Sequence, residues 1–148
     1  MDYKDLELVL KSLISDDKYE ISILSNAMAL LYDELDDVNW VGVYYVSDSE
    51  LYLGPFQGKV ACSRLPYGKG VCWKSVLDEK IVNIKNVHEF SGHIACDARS
   101  NSELVVPIKK NGKVYLVVDI DSPLLNRFSY DDEINIGNIC KILEEKIN

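Results

Sequence analysis

Two pairs of apolar, β-branched segments constrain the fold of this chain more than any other feature of its sequence. Residues 39–46 pair with 51–56 around the polar turn Ser47-Asp48-Ser49, and residues 104–108 pair with 113–121 across an Asn-Gly dipeptide. This spacing is typical of β-hairpins, and Asn-Gly is a strong signal for a tight hairpin turn. The sequence therefore predicts an antiparallel sheet, to which flanking helices would add at least one covering layer.

Helices are predicted at both ends of the chain. Before the strands, helical spacing extends to about residue 13 and again over residues 18–35, and the first of these segments has the apolar residues Leu6, Val9, Leu10 and Leu13. After the strands, Ser129 and Asp132 resemble a capping box. They precede a helix with one apolar stripe, formed by Ile136, Cys140, Leu143 and Ile147.

The middle of the chain predicts a short helix over residues 71–79, a short strand over 81–84 and two long loops over 54–70 and 85–102. The order of elements is ααββαβββα, a mixed α/β (α+β) fold. No repeat or linker divides the chain, so residues 1–148 are interpreted as a single domain. Loops of this length in a compact domain are usually functional, with long loops expected on the sheet face opposite the helices.

Composition excludes several classes of partner. The chain has 148 residues, of which 47% are hydrophobic, and a formal net charge of −8 without a basic face. Nucleic acid and anionic membranes are therefore not expected as partners. No apolar run approaches the length of a membrane-spanning helix, and the acidic N-terminus does not resemble a signal peptide. A soluble, cytoplasmic protein is expected.

Four cysteines are unusual for such a protein, since disulfides rarely persist in the cytosol. Cys140 lies on the apolar stripe of the last helix and is expected in the core. The intervals from Cys62 to Cys72 and from Cys72 to Cys96 are 10 and 24 residues, without a Cys-x-x-Cys knuckle. Zinc is therefore disfavoured although His88 and His93 are near in sequence, and we predict no metal. Cys72 is placed in the first turn of a helix, where the dipole would lower the thiol pKa.

Aromatic residues are predicted on one face of the first strand. A period of two places Trp40 and Tyr44 on the same side, with Gly42 between them. The missing side chain would leave a slot that suits an apolar or thioether group, or a cation against the rings. The alternative is an ordinary core pair around a small residue.

Carboxylates are predicted at the end of the strand that follows the second turn. Asp119 and Asp121 share a face, and Glu103 enters the neighbouring strand. Paired carboxylates repel one another and raise the pKa of one, so they could hold an ammonium group or donate a proton. The alternative is a strand that simply emerges into water. These residues indicate thiol chemistry on a small molecule without naming the substrate.

Four segments carry a more specific signal. They are Asn39-Trp40-Val41-Gly42, Leu53-Gly54-Pro55-Phe56-Gln57-Gly58-Lys59, Gly92-His93-Ile94-Ala95-Cys96-Asp97 and Val118-Asp119-Ile120-Asp121-Ser122-Pro123. Together with the cysteine spacing they resemble the free methionine-(R)-sulfoxide reductases, a family of small GAF-domain enzymes. The resemblance covers about residues 20–147 and implies a GAF-like fold, an antiparallel sheet flanked by the N- and C-terminal helices.

The resemblance also implies roles for individual residues. Cys96 matches the nucleophile, Cys62 the main resolving cysteine and Cys72 an auxiliary third cysteine. The residues that match substrate-binding positions are Trp40, Tyr44, Glu103, Asp119 and Asp121. The implied reaction reduces free methionine sulfoxide through a sulfenic acid and a disulfide, which a thioredoxin-like reductant resets without a cofactor.

Two questions stay open from the sequence. Helix electrostatics favours Cys72 as the most acidic thiol, whereas the resemblance favours Cys96, and we follow the resemblance. The rival functions are a non-catalytic GAF sensor of a small molecule or redox state, and a structural metal-binding domain that uses Cys62, Cys72, Cys96 and His93. The apolar stripes of the terminal helices, together with the habit of the family, favour a homodimer.

Overall fold

The structure, a computed structural model, describes residues 1–92 and 99–148. In this part of the chain, four helices accompany six strands. The helices are α1 Tyr3–Ile14, α2 Glu20–Glu34, α3 Gly70–Asp78 and α4 Tyr130–Ile147. The strands are β1 Trp40–Val46, β2 Glu50–Gly58, β3 Arg64–Pro66, β4 Val82–Ile84, β5 Ser102–Lys110 and β6 Lys113–Ser122. A 3₁₀ turn, Val87–Glu89, follows β4.

The six strands form one antiparallel sheet in the order β3-β2-β1-β6-β5-β4. The two hairpins predicted from the sequence supply its four long strands. The second hairpin turns at Asn111 and Gly112, whose positive φ angles of 56° and 79° suit the predicted Asn-Gly turn. The expectation of an antiparallel sheet with flanking helices is therefore confirmed.

Alternation along the strands gives the sheet two different faces. One face packs against α1, α2 and α4 and forms the larger core, whose strand members are Val41, Val43, Leu104, Val106, Ile108, Leu116, Val118 and Ile120. The opposite face packs against α3 in a smaller cluster that includes Trp40, Tyr44, Leu65, Cys72, Trp73, Val105 and Val117. This cluster contains Trp40 and Tyr44, the two aromatic residues that were predicted to bind substrate.

The terminal helices follow their sequence signals. Ser129 accepts from the backbone of Asp132, and the Asp132 side chain accepts from Ser129, which confirms the capping box of α4. The apolar stripe of α4 is buried as predicted. In α1 the buried residues are Leu6, Leu10 and Ile14, which face α2 and α4, whereas Val9 and Leu13 are exposed.

Two local features differ from the sequence-based prediction. The loop expected over residues 54–70 is shorter, since β2 continues to Gly58 and the edge strand β3 pairs with it. Three residues that include a proline are too short a segment to show a strand periodicity.

Within the described residues, no helix combines the length and the hydrophobicity that a membrane crossing requires.

Candidate active site

The strand register brings the predicted carboxylates together on the face that α3 covers. Asp119 on β6 lies opposite Gly42 on β1, and Asp121 lies opposite both Trp40 on β1 and Glu103 on β5. Because facing residues in antiparallel strands point to the same side, these positions share one face. Glu103 and Asp119 are buried, each 6% exposed, whereas Asp121 is half-buried at the end of the strand.

Cys72 completes a compact cluster with two of these acids. The thiol sulfur of Cys72 and one carboxylate oxygen from each of Glu103 and Asp119 all lie within 4.8 Å of one another. Side-chain hydrogen bonds join Glu103 to Asp119 and Cys72 to Asp119. Asp119 Oδ1 is buried and has no hydrogen-bond partner among the residues that the structure describes.

The shared environment of the cluster raises the pKa of every member. Burial raises the pKa of Glu103 well above its ordinary value, and the charge of Asp119 raises it further. Burial also raises the pKa of Asp119, while hydrogen bonds from Glu103 and Cys72 oppose that rise. Because both pKa values are raised, the hydrogen-bonded pair of Glu103 and Asp119 holds a shared proton. A carboxylic acid kept neutral in this way can act as a proton donor.

The electrostatic expectation for Cys72 is wrong. Cys72 does lie in the first turn of α3, as the sequence predicted. Burial, followed by the charge of Asp119, nevertheless raises the pKa of its thiol well above the ordinary value. Desolvation and facing carboxylates outweigh the dipole of a helix of nine residues. Cys72 is thus a buried, neutral thiol and a hydrogen-bond donor.

The aromatic residues are close together, but the slot expected above Gly42 is filled. A Cβ built on Gly42 would lie 2.4 Å from Cη2 of Trp40, so the indole itself covers the glycine. The Trp40 ring stacks on Tyr44 at a centroid distance of 5.9 Å and on Phe56 at 5.4 Å. Gly42 therefore makes room for Trp40 rather than for a ligand, and both tryptophan and tyrosine are buried, at 3% exposure.

Phe56 is a residue that the sequence-based prediction did not select. It lies directly opposite Gly42 in the β1–β2 ladder. The hairpin register would have indicated this contact, but the register shifts between Gly42 and Tyr44. Such an irregularity cannot be counted from the turn, since one extra residue changes every later pairing.

Cys62 lies in the short segment between β2 and β3, next to the aromatic cluster. It is half-buried and disulfide-bonded, whereas Cys72 and Cys140 are free thiols. The Tyr44 hydroxyl donates to the Cys62 carbonyl oxygen at 2.8 Å. The predicted resolving cysteine is thus held beside the predicted pocket.

The residues predicted as nucleophile and as a histidine ligand, Cys96 and His93, lie outside the described residues. His88 is exposed, and its Nε2 is 2.8 Å from Oδ1 of Asn101. Among the residues that the structure describes, the set that could hold a metal ion is Cys72, Glu103 and Asp119. That set differs from the cysteine-rich one considered from the sequence, in which Cys62 was a ligand.

The family model of the GAF domain matches residues 20–138. The antiparallel sheet with its flanking helices agrees with this match, so the chain is a GAF-domain protein. The free methionine-R-sulfoxide reductase of Escherichia coli is 43% identical over 143 residues, covering 97% of this chain and 87% of that protein.

Two solved structures have the same fold over nearly their whole length. The structure of fRMsr of Staphylococcus aureus in complex with substrate superposes with a TM-score of 0.94 at 47% identity, covering 99% of this chain and 96% of that one. The free methionine-R-sulfoxide reductase of Neisseria meningitidis in complex with its substrate gives 0.93 at 36% identity, covering 97% and 87%. This chain belongs to the free methionine-R-sulfoxide reductase family of GAF-domain proteins.

Proposed function

We propose that this protein reduces free L-methionine-(R)-sulfoxide to L-methionine through a cysteine sulfenic acid and an intramolecular disulfide. The observation that carries the proposal is the buried, hydrogen-bonded pair of Glu103 and Asp119 beside an aromatic cluster. Relatives named for this activity, and solved relatives described as substrate complexes, support the same substrate.

The first chemical step needs an acid. A sulfoxide sulfur is a poor electrophile until its oxygen is protonated, and Glu103 holds a proton in a site from which the sheet and α3 exclude much of the solvent. In the proposed step, the Cys96 thiolate attacks the sulfur and forms an S–S bond while Glu103 protonates the oxygen. The hydroxyl group then moves from the methionine sulfur to the Cys96 sulfur as the S–S bond breaks, which releases methionine as the thioether and leaves Cys96 as a sulfenic acid.

The second step resolves the sulfenic acid. The Cys62 thiol attacks the sulfenic sulfur, an S–S bond forms, the S–O bond breaks and water leaves. The disulfide-bonded state of Cys62 supports this role, and the buried free thiol of Cys72 supports an auxiliary one. A dithiol reductant such as thioredoxin then restores both thiols by exchange, and we propose that no cofactor takes part.

Binding of the free amino acid follows from the same face of the sheet. The substrate ammonium needs a negative charge, which Asp119 and Asp121 could supply, because Glu103 carries the proton. The apolar end of the side chain needs an aromatic contact, which Trp40 and Tyr44 could supply. These assignments match the positions implied by the family resemblance.

The experiment couples the protein to thioredoxin, thioredoxin reductase and NADPH, and compares free L-methionine-(R)-sulfoxide, its (S) epimer and a peptide-bound sulfoxide. Only the free (R) epimer should drive NADPH consumption, and Cys62→Ser should lose that turnover while the thiol control Cys140→Ser retains it. Absence of turnover with the free (R) epimer would overturn the proposal and favour a non-catalytic GAF sensor.

A further inference from the structure

The segment that carries Cys62 is attached to the sheet by side chains of β1. It runs from Lys59 to Ser63, between the end of β2 and the start of β3. The indole Nε1 of Trp40 donates to the Lys59 carbonyl oxygen at 3.1 Å, and the Tyr44 hydroxyl donates to the Cys62 carbonyl oxygen at 2.8 Å. At its far end, the Ser63 carbonyl accepts from the backbone N–H of Leu53 at 3.0 Å.

Both aromatic anchors are rigidly placed. The two side chains are buried and stacked on each other, so each donor group is fixed by ring packing. Burial, followed by the charge of Asp119, raises the pKa of Tyr44, which keeps the hydroxyl protonated and able to donate. Rigid donors that contact two carbonyls three residues apart restrict where the Cys62 side chain can lie.

The start of the segment is fitted to Trp40 as well. Gly58 has a φ of +127°, a conformation that residues with a side chain rarely adopt. A Cβ at this position would lie 2.7 Å from Cδ1 of Trp40 and 2.8 Å from the carbonyl oxygen of Asn39. The chain can leave β2 this close to the indole only because residue 58 is glycine.

We propose that Tyr44, assisted by Trp40, positions the Cys62 segment for resolution of the sulfenic acid, in addition to any contact that its ring makes with substrate. The inference rests on the proposed function, in which Cys62 is the resolving thiol. Attack of Cys62 on the sulfenic sulfur forms the disulfide and releases water, and its rate depends on how often the thiol lies within reach. A loosened segment would leave the sulfenic acid exposed for longer to trapping reagents and to further oxidation.

The chain offers a closely matched control for Tyr44. Tyr45 is the next residue of β1, but it points to the other face, where its hydroxyl donates to Glu20 at 3.2 Å. Tyr44→Phe and Tyr45→Phe each keep the ring and each remove one hydroxyl and one hydrogen bond. Only Tyr44→Phe removes the hydrogen bond to the Cys62 carbonyl oxygen.

The experiment mixes each fully reduced variant with excess free methionine-(R)-sulfoxide, without reductant and with dimedone as a sulfenic acid trap. Methionine, the dimedone adduct and the disulfide are quantified over time by mass spectrometry. Tyr44→Phe should form the disulfide about 2- to 10-fold more slowly than wild type, the rate equivalent of one lost hydrogen bond, and should accumulate adduct. Tyr45→Phe should give the same ratio of dimedone adduct to disulfide as wild type does.

The outcomes separate this inference from the proposed function. If wild type releases no methionine, the proposed function fails. If wild type releases methionine but Tyr44→Phe partitions between adduct and disulfide as wild type does, the positioning role is wrong. Equal melting temperatures of the two variants would show that the changed partition is not a general loss of stability. If Tyr44→Phe does not fold, Trp40→Phe removes the other hydrogen bond to the segment, and an unchanged partition there would equally overturn the proposal.

Discussion

Cys72 illustrates how a single residue can lie where a sequence pattern places it and yet have different chemistry. Its position in the first turn of α3 follows from the apolar spacing and the preceding glycines. Its thiol pKa depends on Glu103 and Asp119, which lie 31 and 47 residues further along the chain and reach Cys72 only through the sheet register. The local sequence does not indicate that these residues are close together. The expected lowering of the Cys72 pKa by the helix dipole therefore does not occur.

A series of serine substitutions tests the thiol roles. After stoichiometric mixing without reductant, Cys96→Ser should release no methionine, because no nucleophile remains. Cys62→Ser should release about one equivalent but lose thioredoxin-driven turnover, since attack precedes resolution. Cys72→Ser should be the mildest of the three, because serine retains a hydrogen-bond donor toward Asp119. Methionine is quantified by mass spectrometry, with Cys140→Ser as control.

The opposite pattern would assign the nucleophile differently. If Cys72→Ser lost the single equivalent while Cys96→Ser retained it, Cys72 would be the attacking thiol despite its raised pKa. The family resemblance would then have misassigned the two residues.

Asp121 is expected to select the free amino acid by holding the substrate ammonium. Asp121→Asn should raise KM for free methionine-(R)-sulfoxide about 10-fold or more, with a smaller change in kcat, because a charged hydrogen bond is lost from the ground and transition states alike. N-acetyl-methionine sulfoxide, which lacks the ammonium, should be a poor substrate for wild type and should be affected little by the substitution. Equal reduction of the acetylated and free compounds by wild type would contradict this role.

At the scale of elements, the hairpins and the last helix could be predicted because each has a local signal. The Asn-Gly turn, the period-two strands and the capping box of Ser129 all lie within a few residues of the structure that they specify. The β1–β2 register and the edge strand β3 depend instead on contacts across the sheet. The filled space above Gly42 likewise follows from the rotamer of Trp40, which its neighbours Tyr44 and Phe56 determine.

Gly42 should therefore tolerate no side chain. In Gly42→Ala the new methyl group would overlap Cη2 of Trp40 at 2.4 Å and Cβ of Phe56 at 2.5 Å. The ring would have to move, at a cost of about 1–3 kcal/mol in the free energy of unfolding, and KM should rise as the aromatic cluster is displaced. Gly54→Ala is the matched control, because its methyl group would meet Tyr45 on the opposite face. It should lose stability in urea titrations without a change in KM. An unchanged KM in Gly42→Ala would separate Trp40 from substrate binding.

At the scale of the whole molecule, the two faces of the sheet differ in composition: one is apolar, and the other includes buried acidic residues. The face against α1, α2 and α4 is an apolar core. The apolar stripe of α4 packs within this core, whereas Val9 and Leu13 from the stripe predicted for α1 are exposed. The expected homodimer stays a prediction. The face against α3 contains buried acids that lower stability, since each charged form is poorly solvated there. We expect activity and stability to oppose each other on this face.

The pH dependence of unfolding should reveal that opposition. The pKa values of Glu103 and Asp119 are raised in the folded state, so the folded protein binds these protons more tightly than the unfolded chain does. Their stabilising contribution is complete below the unfolded pKa values, about 4, and is lost as pH rises through the raised folded values. Glu103→Gln keeps a neutral side chain at every pH. It should therefore match wild type near pH 4 and exceed it at higher pH, by on the order of 1 kcal/mol, while its activity falls.

Asp132 provides a control with the opposite sign. Hydrogen bonds from Tyr3 and Ser129, together with the charge of Arg127, outweigh burial and lower the pKa of this carboxyl group. Its contribution is present above the unfolded pKa and is lost as pH falls through the lowered folded value. In urea titrations over a pH series, Asp132→Asn should be less stable than wild type at neutral pH, and the difference should shrink toward low pH. A gap between Glu103→Gln and wild type that stayed constant with pH would show that the buried carboxyl pair does not carry the proton required by the proposed mechanism.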